Sequence, residues 1–220
     1  IEGFRRAANR VAHRGDTDHR ERFLPTVWLS HYRLAFQDVA SGVQPMLSRD
    51  ERHVIVFNGE VYNHLALRED VSRQSGVAFR TRSDTETILE GWKAFGEDFF
   101  DRLEGEYAFV ISAIDGSHML AHRDRFGVKP LFLLGDVLDT GRFANFQAHY
   151  DFSCRRIEFS SEIKGLSTGK SWNREGLLRQ FTGLFEPIRT PFDQVIQVPP
   201  GGRLRCGRQS DRLVCHLETF

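Results

Sequence analysis

The feature that most limits the fold of this chain is a series of short strand-like segments that do not alternate regularly with helices. β-branched and aromatic residues, bounded by turn residues, form these runs at 26–36, 53–57, 106–114, 118–123, 130–134, 156–161, 202–206 and 212–217. Parallel strands need a long crossover, usually a helix, whereas antiparallel strands can be joined by tight turns. The pattern therefore predicts mostly antiparallel pairing.

Helical patterns lie before and between these runs. They cover residues 1–15, 63–76, 83–96 and 173–185. The clearest one has apolar residues on one face, and Ser83 and Glu86 have the spacing of a capping box. Gly96 ends this pattern. Strand clusters with helices between them predict an α+β sandwich, in which two sheets have helices on the outside.

The charge and the apolar pattern of the 220-residue chain argue against several kinds of partner. Lys and Arg together number 30, as do Asp and Glu, so no net charge indicates a nucleic acid or a membrane surface. No apolar run approaches the ~20 residues that span a bilayer, and no signal peptide begins the sequence. The nine histidines lack ligand spacing, so we predict no metal site.

The cysteines indicate a reducing compartment. Cys154, Cys206 and Cys215 are odd in number and scattered along the sequence, unlike a secreted disulfide scaffold. We expect each of them to be a small buried hydrophobic residue. The cytoplasm is the predicted location.

Polar residues at predicted strand and helix ends form a candidate site. Asn58-Gly59 is typical of a tight hairpin corner, because both central residues of such a turn need a positive φ. A guanidinium such as that of Arg33 can bind an α-carboxylate bidentately, and the carboxylates of Glu60 and Asp84 can bind an α-ammonium. The Asn58 amide and the Gly59 N–H could donate to a developing oxyanion.

Each of these residues also has a structural explanation on the pattern alone. Asp84 in the first turn of a helix interacts favourably with the helix dipole. Asn58-Gly59 is equally well a simple turn, and Arg33 could be a surface arginine that extends to solvent. The residues by themselves leave both interpretations open.

A resemblance to a known family favours the functional interpretation. The matching motifs are AHRGDTD (12–18), HYRLAFQD (31–38), QPM (44–46), VFNGEVYNHLALRE (56–69), FRTRSDTETIL (79–89), LEGEYAFVI (103–111), HRDRFGVKPLF (122–132), FSSEIKGL (159–166) and VIQVPPGGRL (195–204). In this order they resemble the glutaminase domain of class II glutamine amidotransferases, and specifically that of the glutamine-hydrolysing asparagine synthetases. The motif NGEVYN discriminates this branch from relatives that form glucosamine phosphate or purines.

The resemblance implies a fold and a set of site residues. The expected fold over residues 1–220 is the four-layer αββα sandwich of N-terminal-nucleophile hydrolases, with antiparallel sheets. Arg33 would bind the α-carboxylate of glutamine, and Leu34 would join it in the glutamine site. Asn58 and Gly59 would form the catalytic oxyanion hole. Glu60 and Asp84 would bind the α-amino group.

The same resemblance implies an enzyme with parts outside this sequence. The family's nucleophile is an N-terminal cysteine on a first strand, whereas this sequence begins at Ile1. An ATP-pyrophosphatase synthetase domain would follow, so no cofactor is expected in this chain, and ATP and Mg²⁺ belong to that domain. The expected function is to hydrolyse glutamine to glutamate and to supply ammonia for amidation of a carboxylate, as in asparagine biosynthesis by a ligase. The alternative is a non-catalytic scaffold domain like that of β-lactam synthetase.

Some properties stay open at this point. The amide acceptor is aspartate or a specialised metabolite, and the protein could form a homodimer. Asp16 stands where the family usually has proline after His-Arg-Gly, which favours a specialised relative. The segment 135–156 is longer than the compact hairpin of the family and has no assigned role.

Overall fold

The computed structural model describes residues 1–36, 38–136, 149–167, 171–184 and 187–219. The chain divides into two compact units, which are residues 12–117 and residues 1–11 with 118–220. The described α-helices are α1 (Glu2–Asn9), α2 (His64–Ser75), α3 (Asp84–Phe95) and α4 (Arg174–Phe181). The described strands are β1 (Asp18–Phe23), β2 (Trp28–Arg33), β3 (Met46–Leu47), β4 (His53–Val61), β5 (Gly105–Ala113), β6 (His118–Arg123), β7 (Phe132–Gly135), β8 (His149–Cys154), β9 (Ile157–Ser160), β10 (Val195–Gln197), β11 (Gly202–Gln209) and β12 (Arg212–Thr219). Short 3-10 helices cover Ala12–Arg14, Gly96–Arg102 and Ile163–Gly165.

In the unit of residues 12–117, a sheet and a two-stranded ribbon carry the predicted site residues. β4 pairs with β3 on one side and with β5 on the other, and both pairs are antiparallel. β1 and β2 form the ribbon, with Asp18 opposite Arg33. Helix α3 contacts β4, and α2 packs on α3. The end of β2, the end of β4 and the start of α3 therefore belong to one compact body.

The core of this unit fixes the position of α3 against the sheet. Its fully buried side chains include Ile55, Ile88, Leu89, Phe99, Phe100, Phe109 and Ile111. The rings of Phe100 and Phe109 pack with their centroids 5.1 Å apart. Burial of such a side chain stabilises the fold by roughly 1.5–3 kcal/mol. The predicted apolar face of α3 is thus buried in the core. This packing orients the N-terminus of the helix, which carries Asp84.

The unit of residues 1–11 and 118–220 contains two antiparallel arrangements of strands. One has the order β6-β11-β12-β8, and the other has the order β10-β7-β9. Helix α1 contacts the 3-10 helix Ile163–Gly165. The predicted α+β class with antiparallel sheets is confirmed for the described residues.

The three cysteines, scattered in sequence, lie together in this second unit. Cys154, Cys206 and Cys215 are buried and free, on β8, β11 and β12. Cys206 is opposite Cys215 in the strand register. A hydrogen bond with Cys215, together with burial, raises the pKa of the Cys154 thiol far above its usual range. The Cys154 thiol therefore stays protonated. All three cysteines are buried as small hydrophobic residues, as predicted.

The prediction of a hairpin corner at Asn58-Gly59 is wrong. β4 runs through both residues to Val61, and Asn58 and Gly59 lie opposite Ala108 and Tyr107 of β5. Gly59 does have a positive φ of 141°, so the glycine is needed, but not for a turn. It permits a close approach of two strands, which is described with the site below.

The predicted helices are confirmed, but their ends differ in detail. Gly76 ends α2 in the left-handed conformation, and Ser83 is the N-cap of α3, where its Oγ accepts the N–H of Thr85 at 3.1 Å. The capping box is not formed, because the Glu86 carboxylate instead accepts the N–H groups of Arg80 and Thr81 at 2.9 and 2.7 Å. The N–H groups of the preceding loop thus bind the carboxylate that would bind the N-cap N–H in a capping box.

Other boundaries differ for reasons of exposure and length. The patterns do not predict β1, β3, β8 or β10. β1 is largely charged, and β3 and β10 are only two and three residues long. The first helix was expected to reach Gly15 but α1 ends at Asn9. Within the segment 135–156, residues 137–148 lie outside the described residues, and β8 occupies most of the remainder. No described helix is both long and apolar enough to cross a membrane.

Candidate functional site

The guanidinium of Arg33 is buried at the end of β2. The side chain is only 6% exposed, so the interpretation as a surface arginine is wrong. Nη1 donates to the carbonyl of Val39 at 2.8 Å, and Nη2 donates to that of Asp38 at 2.7 Å. These two carbonyls fix the orientation of the buried guanidinium. It can therefore attract a carboxylate from within a partly desolvated position.

The loop that holds Arg33 is itself held by polar contacts. The Asp38 carboxylate accepts the Ser41 hydroxyl at 2.6 Å and the Arg82 N–H at 2.6 Å. The hydrogen bond from Ser41, with that from Arg82, keeps the pKa of Asp38 below its usual range. A Cβ at Gly42 would lie 2.9 Å from Arg33 Nη2 and 3.2 Å from Cβ of Ser83. The guanidinium thus lies close to the start of α3.

Leu34 follows Arg33 beyond the end of β2. Its side chain is 49% exposed, in contrast to the buried arginine beside it. It therefore borders solvent next to the guanidinium.

The edge of β4 that faces away from β5 carries the backbone groups of the candidate site; we call it the β4 edge (backbone of residues 57, 59 and 61). The N–H of Phe57 donates to Gln44 Oε1 at 2.6 Å, and the N–H of Val61 donates to Asp84 Oδ2 at 3.1 Å. Along an antiparallel strand, the N–H groups of alternate residues point to the same edge. The Gly59 N–H accordingly points to the β4 edge, between these two hydrogen bonds.

Asn58 presents a buried hydrogen-bond donor with no partner. Its Nδ2 atom is inaccessible to solvent and forms no hydrogen bond within the described residues. A buried donor without a partner costs about 1–3 kcal/mol, so native proteins rarely keep one without a reason. The amide and the neighbouring Gly59 N–H are the two donors predicted for an oxyanion hole.

Two glycines allow β4 and β5 to approach closely at this point. A Cβ at Gly59 would lie 2.0 Å from the carbonyl oxygen of Glu106. A Cβ at Gly105, where φ is 158°, would lie 2.1 Å from the carbonyl oxygen of Glu60. Any side chain at either position would collide with the backbone of the facing strand. The positive φ of Gly59 thus serves the local shape of the strand that carries Asn58 and Glu60.

Two carboxylates and a histidine lie together at the end of β4. Asp84 is 5% exposed, and burial raises the pKa of its carboxyl, with the charge of Glu60 adding to the effect. Hydrogen bonds from Val61 and Thr85, and the nearby His64, offset only part of this rise. Two acidic groups close enough to repel each other favour a cation between them.

His64 and Gln44 are parts of this site that reasoning from the sequence missed. His64 is buried at the start of α2, and its Nδ1 has no hydrogen-bond partner among the described residues. Burial lowers the pKa of His64, while the charge of Asp84 opposes this effect. Both residues lie in motifs quoted above, VFNGEVYNHLALRE and QPM, and that position is the signal that could have found them.

The arrangement suits a small zwitterion with a polar carbonyl group. It has a buried cation at Arg33, two carboxylates at Glu60 and Asp84, and two donors at Asn58 and Gly59. All five belong to the unit of residues 12–117. Among the described residues, no group of three or more His, Cys, Asp or Glu side chains could hold a metal ion.

Comparisons with known proteins agree with this fold. The glutamine phosphoribosylpyrophosphate amidotransferase of Bacillus subtilis, solved with ADP and GMP, aligns with a TM-score of 0.51 at 20% identity. The alignment covers 84% of this chain and 33% of that protein. The likeness shows that this chain shares the fold of that protein, in agreement with the predicted α+β class with antiparallel sheets.

Sequence relatives narrow this class to a family. The model of the glutamine amidotransferase domain family matches residues 2–215. A probable glutamine-hydrolysing asparagine synthetase of Dictyostelium discoideum is 38% identical over 186 residues, which cover 76% of this chain and 32% of that protein. The glutamine-hydrolysing asparagine synthetase 1 of Bacillus subtilis is 31% identical over 201 residues, which cover 88% and 28%. The chain belongs to the glutamine amidotransferase domain family, and it spans about a third or less of the length of these relatives.

Proposed function

We propose that this chain is the glutaminase domain of an enzyme of the asparagine synthetase type. It hydrolyses glutamine to glutamate and supplies the ammonia for ATP-dependent amidation of a carboxylate. The observation that carries the proposal is the buried Asn58 Nδ2 without a partner, next to the Gly59 N–H on the β4 edge. A donor left without a protein partner in this position fits an oxygen that becomes negative during the reaction.

The substrate is bound at its α-carboxylate and its α-ammonium. Arg33, oriented by the carbonyls of Asp38 and Val39, pairs with the α-carboxylate of glutamine. Glu60 and Asp84 pair with the α-ammonium, which relieves their mutual repulsion. Because Asp84 is buried, its charged form gains most from this cation. Leu34 borders this site as a glutamine-binding residue.

The reaction needs a nucleophile, and we propose an N-terminal cysteine outside this sequence. Its sulfur attacks the side-chain amide carbon of glutamine, and the free amine of the same cysteine takes the thiol proton. The amide oxygen becomes an oxyanion that accepts from Asn58 Nδ2 and the Gly59 N–H. The C–N bond then breaks, ammonia leaves with the proton, and water hydrolyses the thioester to glutamate.

The remaining parts of the function lie outside this chain. The synthetase domain, with ATP and Mg²⁺, is proposed for the portion of the relatives' length that this chain does not span. The acceptor, aspartate or a specialised metabolite, and a homodimeric assembly stay predictions, as does the cytoplasm as location. None of the matches described above favours the non-catalytic scaffold domain.

Glutamine-dependent stabilisation of the full-length protein tests the proposal. A ligand that binds only the native state raises the melting temperature. We expect millimolar L-glutamine to raise the melting temperature of the wild type and to leave that of Arg33→Ala unchanged. Arg20→Ala, at an exposed arginine of β1, is the matched control and retains the shift. A wild type that is not stabilised by glutamine and releases no glutamate contradicts the proposal.

A further inference from the structure

Gln44, from the motif QPM, uses both ends of its side-chain amide within the candidate site. The residue is buried, at 7% exposure. Its Oε1 accepts the N–H of Phe57 at 2.6 Å, and its Nε2 donates to Thr85 Oγ1 at 3.3 Å. Both hydrogen bonds are buried, so they replace bonds to water that folding removed.

The two partners of Gln44 adjoin the predicted substrate contacts. Phe57 directly precedes the donors Asn58 and Gly59, and Thr85 directly follows Asp84. The amide therefore spans from the strand that holds the oxyanion donors to the helix that holds the ammonium acceptor. A second link exists between the same elements, since Val61 donates to Asp84.

The other backbone group of Phe57 is also held by a side chain. His31 Nε2 lies 3.2 Å from the Phe57 carbonyl oxygen, so it carries the proton of that bond. Burial lowers the pKa of His31 to about 4, which is consistent with a neutral ring. His31 lies two residues before Arg33 on β2. Phe57 of β4 is thus connected to β2 through His31 and to α3 through Gln44.

This stretch of the β4 edge is supported by side chains rather than by a neighbouring strand. In the described residues, β3 pairs with only Val54 and Ile55 of β4. Beyond that point, the N–H and the carbonyl of Phe57 would have no strand partner on this side. Gln44 and His31 supply the two missing hydrogen bonds, and they do so directly before Asn58.

We propose that Gln44 is a positioning residue that fixes the Asn58 and Gly59 donors relative to Asp84; this inference rests on the proposed function. Oxyanion donors must lie about 2.7–3.1 Å from the oxygen, and a misplacement of about 1 Å can cost 10²-fold in rate. Loss of the Gln44 amide frees the strand from the helix and leaves the Phe57 N–H unsatisfied. The Arg33, Glu60 and Asp84 side chains that bind the substrate remain.

The test is the kinetics of glutamine hydrolysis by the full-length protein. Gln44→Met keeps the length of the side chain and removes both hydrogen bonds, and Thr85→Val removes only the helix end of the link. We expect Gln44→Met to lower kcat at least tenfold with KM for glutamine within threefold, and Thr85→Val to lower kcat in the same direction. The double variant should be no slower than Gln44→Met alone, because residues in one link are not additive. Gln74→Met, at an exposed position of α2, is the matched control with unchanged kinetics.

Each outcome has a distinct meaning. A Gln44→Met enzyme with kcat within twofold of the wild type overturns the inference, and so does one in which only KM changes. Fully additive effects of Gln44→Met and Thr85→Val also overturn it. If Gln44→Met does not fold, Thr85→Val alone decides, and an unchanged kcat contradicts the link. A wild type that hydrolyses no glutamine contradicts the proposed function itself.

Discussion

Replacement of Asn58 separates catalysis from stability, because its amide donor has no partner in the protein. Loss of one oxyanion donor typically costs about 10²- to 10³-fold in kcat, or roughly 2.7–4 kcal/mol. The oxyanion forms only after the nucleophile attacks and is absent from bound glutamine, so KM for glutamine should change little. We therefore expect Asn58→Ala, in the full-length protein, to lower kcat by this factor with KM within about threefold.

The same variant should keep its stability or gain some. The Nδ2 atom is buried without a partner, and such a group costs about 1–3 kcal/mol. Its removal should raise the free energy of unfolding or leave it unchanged, as measured by urea denaturation.

Asn63 is the matched control for this experiment. Its Nδ2 donates to the Arg102 carbonyl at 2.9 Å, and its Oδ1 accepts the Glu104 N–H at 3.1 Å. Asn63→Ala should therefore lower the free energy of unfolding by about 1–2 kcal/mol and leave kcat unchanged. An Asn58→Ala enzyme that is destabilised like Asn63→Ala, with undiminished kcat, would refute the reasoning.

Further predictions concern the shape and charge of the site. Gly59→Ala should lower the free energy of unfolding by more than about 2 kcal/mol in urea titrations, because its Cβ meets the Glu106 carbonyl at 2.0 Å; an unchanged midpoint would contradict the close approach of the strands. Arg33→Lys should raise KM for glutamine at least tenfold, since an ammonium cannot form the bidentate pair with a carboxylate, and a normal KM would remove Arg33 from the site. The pKa of Asp84 is raised by burial, so its charged form is lost as pH falls through that raised pKa. KM for glutamine should accordingly be lowest well above this pKa and should rise on acidification, and a KM independent of pH would contradict a role for the Asp84 carboxylate.

The regular parts of the fold were predictable from local pattern. Helix α3 has an apolar face, an N-cap at Ser83 and a closing Gly96, and these signals act within a few residues. The strands β5, β6 and β12 are rich in residues that favour buried sheets. Local signals of this kind do not depend on the rest of the chain, so the sequence suffices.

The features that escaped prediction depend on contacts between distant segments. β1 is largely charged and lacks the apolar alternation that predicts a strand. It is a strand here because it pairs with β2 along its whole length. Asn58-Gly59 has the composition of a turn, but here the freedom of Gly59 serves a close contact with Glu106, which is distant in sequence. A glycine in the sequence indicates that a positive φ is allowed at that position. It does not indicate whether a turn or a close contact between strands requires that φ.

The sequence predicts the residues of the candidate site, which stay a prediction, but not the side chains that support them. Arg33, Asn58, Glu60 and Asp84 follow from the chemistry of a zwitterion and from the family resemblance. Gln44 makes its contacts across 13 and 41 positions of sequence, so only the structure reveals its link between the strand and the helix.

The most direct test of the central claim is the site at which an electrophilic glutamine analogue labels the full-length protein. Intact-mass and peptide mass spectrometry would locate the adduct. We predict one adduct on an N-terminal cysteine. Labelling should be abolished in Arg33→Ala and prevented by an excess of L-glutamine. Labelling of Cys154, Cys206 or Cys215 instead, or labelling that does not depend on Arg33, would contradict the claim that this chain forms a glutamine-hydrolysing site.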